Sequence, residues 1–271
     1  HGADGRERCY LGGYYPGACP QITGDHVVKT ENEKLYIVIP AYNERDNIYQ
    51  VLDDWYPVVE KHCGGGESRL VVIDDGSKDD TYAIMQEYAK THPLFQPLTK
   101  PNGGHGATVL YGYRYALKQG ADYIFQTDSD GQTLPEEFEP FWEQKESYDM
   151  VIGWRNKRQD GENRIFVTKT LRFVIRICFG VSVTDANTPF RLMQAETLQK
   201  YIGLIPKDFN LSNVILSVIY AKKGCRVKYI PITFRPRQGG VNSINMKKIF
   251  GIGRQAVRDF RKINKVLSRG V

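Results

Sequence analysis

No stretch of the 271 residues approaches the roughly 18 uncharged apolar residues needed to span a bilayer, so no spanning helix is expected. The first residues carry no apolar h-region, so no secretory signal is expected either. The five cysteines (Cys9, Cys19, Cys63, Cys178, Cys225) are scattered and odd in number. No CxxC pair occurs, which removes the usual zinc and thioredoxin-like sites and favours reduced, cytoplasmic thiols. A Cys9–Cys19 bridge is the one pairing the spacing leaves open. The first apolar run is followed by Pro-Ala-Tyr-Asn-Glu rather than GxGxxG, which argues against a dinucleotide-binding dehydrogenase. The glycines at 103, 104 and 106 lack the GK[ST] ending of a P-loop. There is no internal repeat and no Gly/Ser linker, so one fused unit is expected.

What is present is ordinary in amount and uneven in placement. Hydrophobic residues make 41% and charged residues 25%, which excludes wholesale disorder. The net charge of +6 is concentrated near the C-terminus. Residues 247–269 hold eight basic side chains and a single acid, Asp259. That pattern suggests a local contact with a polyanion and carries no nucleic-acid module signature, so no nucleic-acid partner is expected.

Residues 1–34 lack sustained periodicity and are read as a tail or peripheral wrap. From Leu35 the pattern becomes strand, helix, strand, helix. Leu35–Ile39, Leu70–Ile73 and Tyr123–Thr127 are short buried-type strands. Ile48, Val51, Leu52 and Trp55 mark a helix that Pro57 is expected to bend or end. Ser77 is expected to cap a helix reaching about His92, and Gly120 to close a helix through Val109, Tyr113 and Leu117. A helix start is expected at Thr133 ahead of Pro135. Met150–Ile152 and Val227–Phe234 read as strands and Ile165–Gly180 as a helix. The alternation predicts an α/β fold: a mostly parallel central sheet flanked by helices, with ligands at the strands' C-terminal ends.

Three polar clusters follow three of these strands. Pro40-Ala41-Tyr42-Asn43-Glu44 follows the first, Asp74-Asp75-Gly76-Ser77 the second, and Asp128-Ser129-Asp130-Gly131-Gln132 the third. Each alone could be turn chemistry. Together they would line one crevice. Two carboxylates two residues apart can share a hard cation with open positions for phosphate oxygens. Asp74 or Asp75 could accept hydrogen bonds from a base or ribose, and Tyr42 offers a stacking face.

IPAYNE, VIDDGSKDDT, NGGHGATVLYGYRYAL and QTDSDGQ, in this order, resemble the family 2 glycosyltransferases of the GT-A fold. Gly153-Trp154-Arg155, the segment Asp185 to Arg191, and Phe234 to Arg237 with Gly239 to Ser243 are similar to its polyprenyl-phosphate branch, which includes dolichyl-phosphate sugar transferases. The resemblance spans residues 35–250. It implies a single GT-A domain, with a nucleotide-sugar half at 35–150 fused to an acceptor half at 151–250; beyond it, the basic and apolar pattern is read as an amphipathic C-terminal helix at 251–271. It further implies that Pro40, Ala41, Tyr42, Glu44, Asp74, Asp75, Asp128, Ser129 and Asp130 bind a UDP- or GDP-sugar. Asp128 and Asp130, with Gln132, would hold Mg²⁺ or Mn²⁺. His105, Gln132, Arg155, Arg191, Arg235, Arg237 and Ser243 would gather the phosphates of donor or acceptor, and Asp128, Asp130, Asp185, Arg155 and Arg191 would carry catalysis.

The expected reaction is inverting transfer to polyprenyl phosphate. Neither a TED-type base motif nor QxxRW is found, and a phosphate acceptor needs no strong base. Asp185 is otherwise the best base candidate, set against a structural salt bridge to Arg191. Transfer to a glycan or protein hydroxyl, and a low-activity nucleotide-binding subunit of a glycan-assembly complex, remain the alternatives. His105 stands where many relatives have Lys or Arg, and Pro189 departs from the Gly-Phe-Arg common in the branch. Two segments could contact an anionic membrane surface: Ile165–Phe179 with Lys169, Arg172 and Arg176, and residues 246–267, whose apolar positions include Phe260 and Ile263. Each could equally be a helix packed on the core. The expected location is cytoplasmic, peripheral at the membrane face.

Overall fold

A computed structural model describes residues 32–155, 161–235, 259–261 and 263–265, with the side chains of 161–169 left aside. Among these residues seven strands form one sheet: β1 (Leu35–Ala41), β2 (Arg69–Asp74), β3 (Phe95–Thr99), β4 (Tyr123–Gln126), β5 (Met150–Arg155), β6 (Arg191–Gln194) and β7 (Val227–Ile232). The order across the sheet is β3-β2-β1-β4-β6-β5-β7. β6 runs antiparallel to both neighbours, and the other pairings are parallel. The C-terminal ends of β1, β2, β4, β5 and β7 therefore share one edge. The turn entering β6 arrives at that same edge.

The helices are α1 (Ile48–Lys61), α2 (Thr81–Ala89), α3 (His105–Lys118), α4 (Glu139–Trp142), α5 (Gly161–Phe179), α6 (Ala195–Ile202) and α7 (Ser212–Lys222). They cover both faces of the sheet. Strand side chains alternate between the faces, as a pleat requires. Leu35, Ile37 and Ile39 join the cluster under α1 and α2. Tyr36 and Val38 join the cluster under α3, α5, α6 and α7. Gly112 of α3 lies so close to the sheet that a Cβ there would meet Val38 Cγ1 at 2.4 Å.

Several expectations change. α1 runs through Pro57 to Lys61, because Trp55, Tyr56 and Val59 are buried on both sides of the proline. That packing outweighs a helix-interior proline costing about 3 kcal/mol. α2 begins at Thr81, and the Ser77 hydroxyl instead accepts from Asn43 N at 2.9 Å. The segment after Thr133 forms a 3-10 turn (Pro135–Glu137) and the short α4. No helix among the described residues is long and apolar enough to cross a membrane. Residues 1–31, with Cys9 and Cys19, lie outside the described residues. In the C-terminal segment, Phe260 and Ile263 are buried, and Phe260 stacks edge-on against Phe179 and near Phe209. Those two side chains are spent on the core.

Candidate active site

The crevice lies where β1 separates β2 from β4, the point at which strand order reverses and open α/β sheets place their ligands. After β1, Tyr42 is exposed and Asn43 adopts a positive φ of 53°. The loop is stitched to the next one: Lys78 N donates to Asn43 Oδ1 at 2.8 Å, and Glu44 N donates to Thr81 Oγ1 at 2.9 Å. Glu44 is buried, and its carboxylate accepts from Asn47 Nδ2 at 2.9 Å. Pro40 and Ala41 are strand residues paired to Ile73 and Asp74.

Asp74 and Asp75 are both buried and both already employed. Asp74 accepts from Ser77 N at 3.1 Å and from the Thr99 hydroxyl at 2.8 Å. Asp75 forms an ion pair with Lys100 and accepts from Gly103 N at 2.8 Å and Gly104 N at 2.9 Å. Desolvation works to raise its pKa. The Lys100 ammonium and the Gly103 amide outweigh it and hold the carboxyl below the usual aspartate range. Gly76, at φ +69°, lets this turn approach Asn102 N, which a Cβ would meet at 2.9 Å. Asp75 thus fixes the loop that leads into α3. Lys100, the anchor of that arrangement, was not singled out by sequence reasoning. Its only signal is its place in the Lys-Pro-Asn-Gly-Gly run following Thr99.

That loop presents His105 at the start of α3. Its Nε2 lies 2.9 Å from Asp128 Oδ1. Desolvation works to lower the imidazole pKa, but the carboxylates of Asp128, Asp130 and Asp75 raise it above the ordinary value. Asp128 follows β4 by one residue. Asp130 Oδ1 accepts from Gln132 N at 3.2 Å, and Ser129 is buried between the two acids. Thr127 and Thr133 hydroxyls, 2.7 Å apart, close the base of this loop.

Among the described residues no group of three potential ligating side chains gathers at one point. The oxygen donors of Asp128 and Asp130 fit a hard cation whose other positions are filled by diphosphate and water. Gln132, expected as a further ligand, is tied to the β7 side. Its Nε2 donates to the Arg235 carbonyl and its own carbonyl accepts from Arg235 N, each at 2.8 Å.

Two of the four arginines expected to bind phosphate separate sharply. Arg155, at the end of β5, donates from Nε and Nη2 to the two oxygens of Asp185, each at 3.0 Å. Its guanidinium also sits 5.2 Å from the centre of the Phe234 ring. The salt bridge anticipated between Asp185 and Arg191 is thus formed with Arg155 instead. Arg191 is fully buried, at 0% exposure. Its guanidinium donates to the carbonyls of Ala186, Thr188 and Asn213 and to the Ser217 hydroxyl, at 2.6 to 3.3 Å. Burial pulls its pKa down. The expected phosphate contact is corrected on this point, because the side chain faces α7 rather than the crevice. Arg235 is exposed, and Arg237 and Ser243 lie outside the described residues.

Residues 36–202 match the profile of glycosyl transferase family 2. The chain belongs to that family. It is 27% identical over 244 residues to a polyprenol monophosphomannose synthase of Mycolicibacterium smegmatis, covering 86% of this chain and 90% of that protein. It is 26% identical over 221 residues to an undecaprenyl-phosphate mannosyltransferase of Micrococcus luteus, covering 78% and 88%. Among solved structures, glucosyl-3-phosphoglycerate synthase of Mycobacterium tuberculosis with Mn²⁺ and UDP-glucose superposes with a TM-score of 0.60 at 17% identity, covering 90% and 85%. The fold is GT-A, and the chain is a glycosyltransferase.

Proposed function

We propose that this family 2 glycosyltransferase moves a sugar from a UDP- or GDP-sugar to polyprenyl phosphate, with inversion and with the help of Mg²⁺ or Mn²⁺. Residues 35–150 serve as the donor half and 151–250 as the acceptor half. The names of the two mannosyltransferase relatives support the acceptor class, and the Mn²⁺–UDP-glucose complex of the structural neighbour supports the donor class.

The observation that carries the reading is the Arg155–Asp185 pair. A hydroxyl acceptor needs a carboxylate or imidazole free to take its proton. Both oxygens of Asp185 are engaged by a guanidinium, which makes it a poor proton acceptor. A phosphate acceptor arrives already ionised and needs no such group. In this reading a phosphate oxygen attacks the anomeric carbon, and the bond from that carbon to the diphosphate breaks. Asp128 and Asp130 hold the cation, which when bound neutralises the diphosphate that leaves. Tyr42 stacks on the base, with Glu44 and Asp74 beside it, while Pro40, Ala41 and Ser129 shape the floor. His105 meets a phosphate across Asp128. Asp185 presents Arg155 to the acceptor phosphate, and Arg235 binds the same anions, a role that the resemblance extends to Arg237 and Ser243. The acceptor's lipid places the enzyme peripherally at the cytoplasmic face of a membrane.

The test is transfer and hydrolysis with a panel of UDP- and GDP-sugars, with Mn²⁺ or EDTA, with and without short-chain polyprenyl phosphate. Lipid-dependent, EDTA-sensitive release of one nucleotide is expected. Release that ignores the lipid would move the acceptor to a hydroxyl. Nucleotide binding with silence throughout would favour a non-catalytic subunit.

A further inference from the structure

Among the described residues, the exposed large hydrophobic side chains divide by position. Tyr42, Tyr49 and Tyr111, on the first half, all carry a hydroxyl for water. On the second half they are Trp154, Phe173 and Ile177, and the last two have no polar atom. Phe173 and Ile177 are four residues apart on α5, on one helical face, at 64% and 67% exposure. The opposite face of α5 buries Ile175 and Phe179 in the core. The helix therefore has its packing satisfied and still holds two large apolar groups in water. Arg172 and Arg176 flank them, both exposed, and residues 170–180 contain no acid. Trp154 ends β5 on the sheet face that α5 covers, two residues beyond Ile152 of the same cluster.

We propose that the outer face of α5, Phe173 and Ile177 with Arg172 and Arg176, docks on an anionic lipid bilayer. The chemistry fits such a surface on both counts. Apolar groups enter the acyl boundary while long arginine stems let guanidinium groups reach headgroup phosphates. Charge also argues against a second copy of this chain as the occupant, since arginines would face arginines with no acid between them. The C-terminal segment, the other membrane candidate by pattern, has Phe260 and Ile263 buried and offers no comparable apolar face among its described residues. This inference rests on the reading of a membrane-borne acceptor, and its test leaves that acceptor out.

The full chain is mixed with vesicles of phosphatidylcholine alone or with about a third phosphatidylglycerol, free of polyprenyl phosphate, and sedimented at low and high salt. Binding to the anionic vesicles only, weakened by salt, is expected. Phe173→Asp with Ile177→Asp should cut the bound fraction about tenfold, the order expected for removing two membrane-inserted side chains. Arg172→Glu with Arg176→Glu should abolish the salt dependence. Phe173→Ser with Ile177→Ser repeats the first test without adding charge. All these positions are exposed, so thermal midpoints should stay with the parent. Transfer to a short, water-soluble acceptor should be unchanged in every variant. Parent protein that stays in the supernatant, or variants that sediment like the parent, would overturn the proposal. So would a parent dimer that Phe173→Ser converts to monomer with vesicle binding intact.

Discussion

The loops at residues 40–47, 74–81 and 99–105 and the turn at 185–191 meet at one edge of the sheet, but they are held in different ways. The first set is held by side chains reaching backbone amides across neighbouring loops: Asn43 to Lys78, Thr81 to Glu44, Asp75 to Gly103 and Gly104. Its buried charges are the carboxylates of Glu44, Asp74 and Asp75, the last paired with Lys100. The turn at 185–191 is held from behind by one large cation in the core, Arg191, which addresses carbonyls. Parallel strands with short loops bring acids to the edge directly. The turn that enters antiparallel β6 meets the end of β5 through Asp185 and Arg155, and its carbonyls are anchored from beneath.

The largest expected effect breaks the first region chemically without unfolding it. Asp130→Asn should lower transfer about 100-fold or more while the thermal midpoint hardly moves, since in the proposed function it removes a charge that would hold the cation from a partly exposed loop. Near-parental transfer would remove Asp130 from the chemistry. The second region should break in the opposite sense. Arg191→Met leaves the Thr188 carbonyl without its donor and strips a charged donor from those of Ala186 and Asn213, which keep the Ser217 hydroxyl, and should cost about 2 kcal/mol in denaturant unfolding. A variant as stable as the parent would show that the turn is held by something else. Arg155→Lys sharpens the contrast between the two arginines. It keeps the charge but loses the two-pronged geometry, so transfer should fall about tenfold with a modest change in stability. Equal loss of stability in both arginine variants would erase the distinction.

The smallest effect concerns pH. Asp75, Asp79 and Glu139 are held below ordinary carboxyl values: desolvation opposes, and it is outweighed by Lys100, by Thr81 and by Lys61 respectively. Their stabilisation is present above the unfolded carboxyl value of about 4 and is lost as pH falls through the folded values. His62 is lowered by burial, so the folded state resists its proton, and stability begins to fall below about pH 6.5. The raised His105 works the other way, adding stability as pH falls towards 6.5, so thermal midpoints should be highest near there, decline slightly below it and drop steeply below pH 4. His62→Gln should remove only the shallow step.

The strands that built the first region were legible because β1, β2 and β4 are short apolar runs buried on both faces. β3 was not, since Phe-Gln-Pro-Leu-Thr at the sheet edge has neither alternation nor a continuous apolar run. β6 was missed because it is four residues long and starts with a charge. α7 is buried almost all round, so it shows no helical stripe. At the site, the three polar clusters were visible from their place after strands. Which acid faces a ligand and which ties down a loop was not, because Lys100 and the glycine amides reach Asp75 only in the folded chain. Arg191 misled for the same reason. Guanidinium groups suit phosphate, and nothing in the local sequence says that this one faces carbonyls.

Because the Arg191 clamp recognises main-chain oxygens, it is blind to the side chains at 186, 188 and 213. Those three positions are buried and constrained by packing, whereas the exposed Asn187 between the first two can change without touching the clamp. A turn built this way can change its outward chemistry at Asn187 while its geometry is held from beneath.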